Sequence, residues 1–232
     1  MGSATTHFLL CTIARTDARV ASRNVVVVPW LAVVSLAAFL LITFPLRWLI
    51  NRRRHDEPAG LGLRERRPLA WWLADALFVA GFVIMLGGAA LQGAGQIGVA
   101  IAGHVAFGVG GILVLLVATA LLVWAQETMG RAWRPAIPPA DGGDLVTGGP
   151  FRAVRNPAYL AMLAAGLGAV LLAQNLLTFA GWISLLTSLM LTARAEEPLL
   201  HSRHGDAYRD YAARVGRFVP GVGRLRGGSL GS

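Results

Sequence analysis

Sulfhydryl chemistry is almost absent from this 232-residue chain, which has one cysteine, Cys11. With no intrachain partner, that residue excludes a disulfide framework and a cysteine-based metal site. Its place in an irregular N-terminal stretch argues against a functional role. Charge is scarce as well. Charged residues make up 14% of the chain, against about 25% in a soluble domain. The charge present is lopsided: 21 basic residues, all of them arginine, against 12 acidic ones, a net of +9. Such an excess suits either nucleic acid or an anionic membrane face. What fills the rest decides between them. The chain is 55% hydrophobic, its mean hydropathy is +0.58, and long apolar runs separate the arginine clusters. The expectation is a membrane protein that binds no nucleic acid.

The apolar runs divide into helices, since about 20 residues cross a bilayer core. Val25–Ile50, Leu69–Leu91 and Ile97–Ala125 form three spans. The first is too long for a signal-peptide core and has no clear cleavage pattern after it, so it reads as a retained anchor. Ala158–Ala173 and Leu176–Ala193 are shorter, and Gln174-Asn175 between them predicts a tight helical hairpin. The fold class is therefore all-α and polytopic, with about five transmembrane helices. Three parts follow: an N-terminal segment 1–24, three spans over 25–125 with a basic loop at 51–68, and a region 126–232 containing the hairpin 158–193.

Orientation follows from the arginines, because positive loops stay inside. The first loop carries Arg52, Arg53, Arg54, Arg64, Arg66 and Arg67, the third Arg131, Arg134, Arg152 and Arg155. The loop Gln92 to Gln96 has no charge, and the tail after Ala193 is again arginine-rich. These place the polar C-terminal region in the cytoplasm and the N-terminus outside, although Arg15, Arg19 and Arg23 pull the other way.

Whatever chemistry the chain has must sit in two polar segments, Glu127 to Tyr159 and Arg194 to Pro220. The first is loop-like, broken by Pro135, Pro138, Pro139, Gly142, Gly143, Gly148 and Gly149. It ends in Arg155-Asn156-Pro157, where Pro157 fits a first helical turn and Asn156 fits an N-cap. Such a helix end points free N–H groups toward an anionic or lone-pair ligand. On its own, the same stretch reads more simply as a plain helix start with Arg155 reaching lipid phosphates. The second segment predicts an amphipathic tail helix starting at Pro198, with Leu200, Tyr208, Tyr211 and Val215 on one face. It contains adjacent carboxylates, Glu196-Glu197, able to grip hydroxyls or face a cation. Alone they read more simply as solvated charges closing a span.

Together the two segments resemble the isoprenylcysteine carboxyl methyltransferase and phospholipid methyltransferase group. The resemblance lies in Leu145-Val146-Thr147-Gly148-Gly149-Pro150-Phe151, in Val154-Arg155-Asn156-Pro157-Ala158-Tyr159, and in Glu196-Glu197 with Leu200, Gly205, Tyr208, Tyr211, Val215, Arg217 and Pro220 at family spacing. It covers roughly the last 100 residues, from about Gly130 onward. It implies S-adenosylmethionine as cofactor and a lipophilic or lipid acceptor from the bilayer. By resemblance, Asp144, Leu145, Val146, Phe151, Arg155, Asn156, Pro157, Tyr159, Glu196, Glu197 and Tyr208 line the cofactor pocket. Arg194, facing the acceptor, and Tyr159 are the implied catalytic residues. Asn156 and Phe151 depart from the histidine and tyrosine usual in the eukaryotic enzymes, which puts the prenylcysteine acceptor in doubt more than the cofactor. Methyl transfer is an in-line displacement that needs neither a metal nor a covalent intermediate. Positioning can supply up to about 7–11 kcal/mol of it.

Two other readings compete: a nicotinamide-dependent sterol reductase with a related C-terminal motif, and a non-catalytic membrane scaffold. The Glu196-Glu197 pair favours the methyl donor. Among polar residues inside spans, Asp75 lies near the inner end of the second span and is a candidate substrate-site residue, while His104 lies on the other side. Gly103, Gly108, Gly110 and Gly111 follow no strand, so they read as helix-packing positions rather than a nucleotide loop.

Overall fold

The computed structural model describes residues 27–55, 68–98, 105–130 and 144–225. Outside them lie Cys11 with the segment 1–24, most of the basic loop, Gly103, His104 and residues 131–143. The described chain is helical. We label residues 27–55 α1, Leu69–Gly93 α2, Val105–Met129 α3, Pro157–Ala173 α4 and Leu176–Arg214 α5. Val27–Ile50 of α1 and the helices α2, α3 and α5 are long and apolar enough to cross a membrane, and α4 is a shorter apolar helix. At about 1.5 Å per residue, α4 reaches roughly 25 Å and α5 roughly 58 Å.

Several boundaries differ from expectation. Helix α1 continues to His55, into the predicted basic loop. Gln92, expected in a loop, is the buried last turn of α2. Ile97, expected to open the third span, lies in a bend with Gln96, and the described residues of α3 run from Val105. Pro198 does not start a tail helix; α5 runs through it and breaks instead at Gly205, at φ 52 and ψ −126. Pro198 removes the amide that Arg194 O would accept, but both residues are exposed, so water can serve that carbonyl.

Close backbone approach sets the packing, as expected where lipid tails leave no hydrophobic drive between helices. A Cβ at Gly181 of α5 would sit 2.7 Å from Gly81 O of α2, and one at Gly168 of α4 would sit 2.8 Å from Gly111 O of α3. The packing role expected for Gly111 is thus borne out; nothing lies against Gly110, and Gly108 barely touches Val28. Hydroxyls join the α2–α5 pair: Ser188 Oγ donates to Ala74 O at 2.7 Å and Ser184 Oγ to Leu77 O at 2.9 Å. Met85, Ala165 and Leu185 are buried between these helices, and Phe39 and Leu36 bring α1 onto the same core.

Both ends of the bundle are tied by polar groups. At one end the predicted hairpin turn forms through Gln174, left-handed at φ 51, and Asn175. Asn175 Oδ1 accepts from Thr178 N at 2.8 Å, while Nδ2 donates to Gln92 Oε1 at 2.6 Å and to Gly88 O at 3.2 Å. At the other end α1 has a π-helical turn, Ile42–Leu46, around Pro45. The Arg47 amide donates to Phe44 O, and Thr43 O takes Gln126 Nε2 from α3 at 2.7 Å. A backbone carbonyl displaced from the helical ladder at that depth needs such a partner. Arg47 and Glu127 form an ion pair beside it.

Candidate active site

The two polar segments meet at the Arg47–Glu127 end. Gly149, at φ 53, opens a 3₁₀ turn, Gly149–Arg152, and a Cβ there would lie 2.6 Å from Thr128 Oγ1 of α3. That contact seats the turn on the last residues of α3 and buries Pro150 and Phe151. The chain then pairs with the tail in an isolated parallel bridge, Val154 with Gly216. Arg155 N donates to Gly216 O at 2.8 Å and Asn156 N to Arg217 O at 3.1 Å. Pro157 occupies the first turn of α4, as expected. The Asn156 side chain, however, makes no capping bond; its Nδ2 turns to Arg217 O at 3.4 Å. The bond from Nδ2 turns the amide toward the tail, to which this segment is already paired, so Oδ1 does not serve the α4 amides.

Arg155 is not a snorkelling residue. Its side chain is 2% exposed, and NH2 donates to Glu197 Oε1 and to Gly223 O, both at 2.9 Å. NH1 reaches Ala212 O at 3.3 Å. Arg217 grips the same carboxylate bidentately, Nε to Oε1 at 2.8 Å and NH2 to Oε2 at 2.6 Å. Glu197 is thus the shared anion of two arginines, and its hydrogen bond holds the Arg217 guanidinium above its ordinary pKa against the opposing effect of burial. Removing one partner from such a buried set would cost about 3–5 kcal/mol.

The neighbouring Glu196 points elsewhere, to Tyr159 of α4, whose hydroxyl donates to Oε1 at 2.7 Å. Asp75, the candidate substrate-site residue of α2, is exposed on that helix. The tail folds beneath this pair. Tyr208, Tyr211 and Ala212 are buried with Leu145, Leu200, Val215 and Leu225 against them, largely the apolar face predicted for the tail. Tyr211 Oη donates to Phe151 O at 2.7 Å, fixing the 3₁₀ turn to the tail.

Of the residues singled out from sequence, the fold brings together Leu145, Phe151, Arg155, Asn156, Pro157, Tyr159, Glu196, Glu197 and Tyr208. Val146 is half-buried alongside Leu145, Asp144 is exposed, and Arg194 is exposed two residues before Glu196. Sequence reasoning did not single out Arg217 as a site residue. Its only signal was an arginine at family spacing just past the tail helix.

Comparison with known proteins places this geometry in context. No curated protein matches the chain. The structure of the eukaryotic intramembrane Ras methyltransferase isoprenylcysteine carboxyl methyltransferase is similar at 20% identity and a TM-score of 0.47, covering 81% of this chain and 62% of that one. This chain therefore spans less than two thirds of that protein's length. Residues 111–202 match the model of the isoprenylcysteine carboxyl methyltransferase family. That segment contains both Tyr159 and the glutamate pair.

Proposed function

We propose that this chain is an S-adenosylmethionine-dependent methyltransferase acting on a lipophilic or amphiphilic acceptor at the cytoplasmic face of the membrane. The observation that carries the reading is the meeting of two motifs 37 residues apart through the Tyr159–Glu196 hydrogen bond. The residues present suit a cationic, nucleoside-bearing donor. Glu196 is half-buried and spends one oxygen on Tyr159, leaving a carboxylate to face positive charge. Phe151 and Leu145 supply apolar surface, and the first turn of α4 directs free N–H groups to the same end of the bundle.

The donor supplies an activated methyl group, and the chain's own residues supply position. Tyr159 fixes the rotamer of Glu196. Asn156 and Pro157 hold the start of α4 by their pairing with the tail. The apolar flanks of α4 and α5 offer an acceptor a route from the bilayer, with its tail left in lipid. Arg194, exposed at the membrane edge of α5, would meet an acidic or phosphate-bearing head group. Methyl transfer to a carboxylate or thiolate needs no strong base, which fits the makeup of the site.

Calorimetry of the detergent-solubilised protein tests the reading. S-adenosylhomocysteine is expected to bind and NADPH not to. Binding of NADPH alone would move the chain to the sterol-reductase class, and binding of neither would leave a scaffold.

A further inference from the structure

Arg217 lies past the residues matched by the family model, 111–202, yet it touches both halves of the site. Its backbone carbonyl accepts from Asn156 N, and its guanidinium forks onto both oxygens of Glu197. Glu197 also holds Arg155, which in turn reaches Ala212 O and Gly223 O of the tail. With both its oxygens engaged, Glu197 has little left for a ligand. It is also the residue next to Glu196. Adjacent side chains on a helix are set about 100° apart by 3.6 residues per turn. Whatever fixes the direction of Glu197 therefore fixes the rotation at which α5 presents Glu196 to Tyr159. A Lys ammonium could neutralise Glu197, but only the planar fork also sets its orientation.

From these contacts we infer that Arg217 is a positioning residue of the donor site: by clamping Glu197 it sets the rotation of α5 that presents Glu196 and locks the Arg155-Asn156-Pro157 start of α4. It touches neither donor nor acceptor. The inference rests on the methyl-donor reading and extends the site to the turn 215–225.

The test is S-adenosylhomocysteine calorimetry on the full chain in detergent, with thermal unfolding measured in parallel. Arg217→Ala is expected to weaken binding about tenfold or more, and Arg217→Lys to fall between it and wild type, because charge returns without the fork. Glu197→Gln should also weaken binding. The double variant should bind no more weakly than the worse single one, since Arg217 acts through Glu197. Arg209→Ala, which loses only an exposed pair with Asp206, should bind as wild type does. A purely structural role would lower the unfolding midpoint of Arg217→Ala and leave the affinity of its folded fraction unchanged; that result overturns the inference. So do additive losses in the double variant. If Arg217→Ala does not fold, wild-type affinity in Arg217→Lys overturns it instead. Absence of wild-type binding would remove the donor reading and this inference together, whereas intact wild-type binding with unaffected Arg217 variants would remove this inference alone.

Discussion

Tyr159 and Glu196 are joined at 2.7 Å across the α4–α5 hairpin, while Glu197, one residue on, turns away to Arg155 and Arg217. The glutamate pair is therefore divided in labour. One carboxylate is tied to the tail, and the other to the tyrosine of α4.

That division predicts unequal behaviour in donor binding. Glu196→Gln keeps a partner for Tyr159 but removes the charge that the proposed function sets against the donor. Hydrogen bonds to charged groups contribute about 1.5–3 kcal/mol, so S-adenosylhomocysteine affinity should fall roughly tenfold or more with little change in unfolding temperature. Tyr159→Phe should cost less affinity than Glu196→Gln, since it only frees the rotamer. Calorimetry that ranks them the other way would contradict the role given to Glu196.

A second prediction concerns the α2–α5 crossing. Gly181→Ala would place its Cβ 2.6 Å from Met85 Cγ and 2.7 Å from Gly81 O. Backbone cannot yield as a flexible side chain can, so the helices must separate, at a cost of about 1–3 kcal/mol. Thermal unfolding in detergent should show a clear drop for Gly181→Ala and none for Gly110→Ala, where nothing lies against the new methyl group.

How far these features were legible in the sequence depended on their range. Hydropathy alone marks the helices, because a bilayer demands long apolar runs with satisfied backbones. The hairpin turn at Gln174-Asn175 and the first turn at Pro157 are local and were readable. Non-local pairing was not. Gln92 belongs to α2 because Asn175, 83 residues on, needs its amide oxygen. Asn156 abandons its cap for the carbonyl of Arg217, which sequence order places 61 residues away. The run of α5 through Pro198 was hidden for a different reason: a proline in a helix is tolerated where the carbonyl it orphans is exposed to water, and exposure is a tertiary property.

The polar knot at the other end gives a third prediction. Asn175→Ala removes an N-cap, worth about 0.5–2 kcal/mol, and strands the buried Gln92 amide, worth about 1–3 kcal/mol more. The variant should unfold at a lower temperature. The proposed donor site lies at the opposite end of the bundle, so affinity for S-adenosylhomocysteine in the folded fraction should stay as in wild type. A loss of donor affinity matching the loss of stability would mean that the two ends are coupled.

Orientation supplies a fourth. From the arginine distribution, residues 126–157 and 194–232 are expected in the cytoplasm and the Gln92–Gln96 turn outside. On a background with Cys11 replaced, a cysteine at position 94 should react with a membrane-impermeant thiol reagent only from the external side of sealed vesicles. A cysteine at position 206, exposed on α5, should react only from the cytoplasmic side. Reaction of position 94 from the cytoplasmic side would invert the arrangement and place the site outside.

The acceptor side rests on Arg194. It stands exposed two residues before Glu196, at the point where α5 leaves its apolar run. About 20 residues, some 30 Å of helix, separate the hairpin turn at Asn175 from this position, which on the proposed reading puts Arg194 at the depth of the lipid head groups. A guanidinium there can pair with a carboxylate or phosphate whose apolar tail remains in the bilayer. Exposed pairs of this kind contribute about 1 kcal/mol or less, so the effect should be modest. Arg194→Ala is expected to raise KM several-fold for amphiphilic acceptors with acidic head groups, and to leave KM for neutral-headed ones and the affinity for S-adenosylhomocysteine unchanged. A substrate screen run on wild type and Arg194→Ala measures all three. Turnover confined to small water-soluble acceptors, with the variant indistinguishable from wild type, would place acceptor recognition elsewhere on the chain.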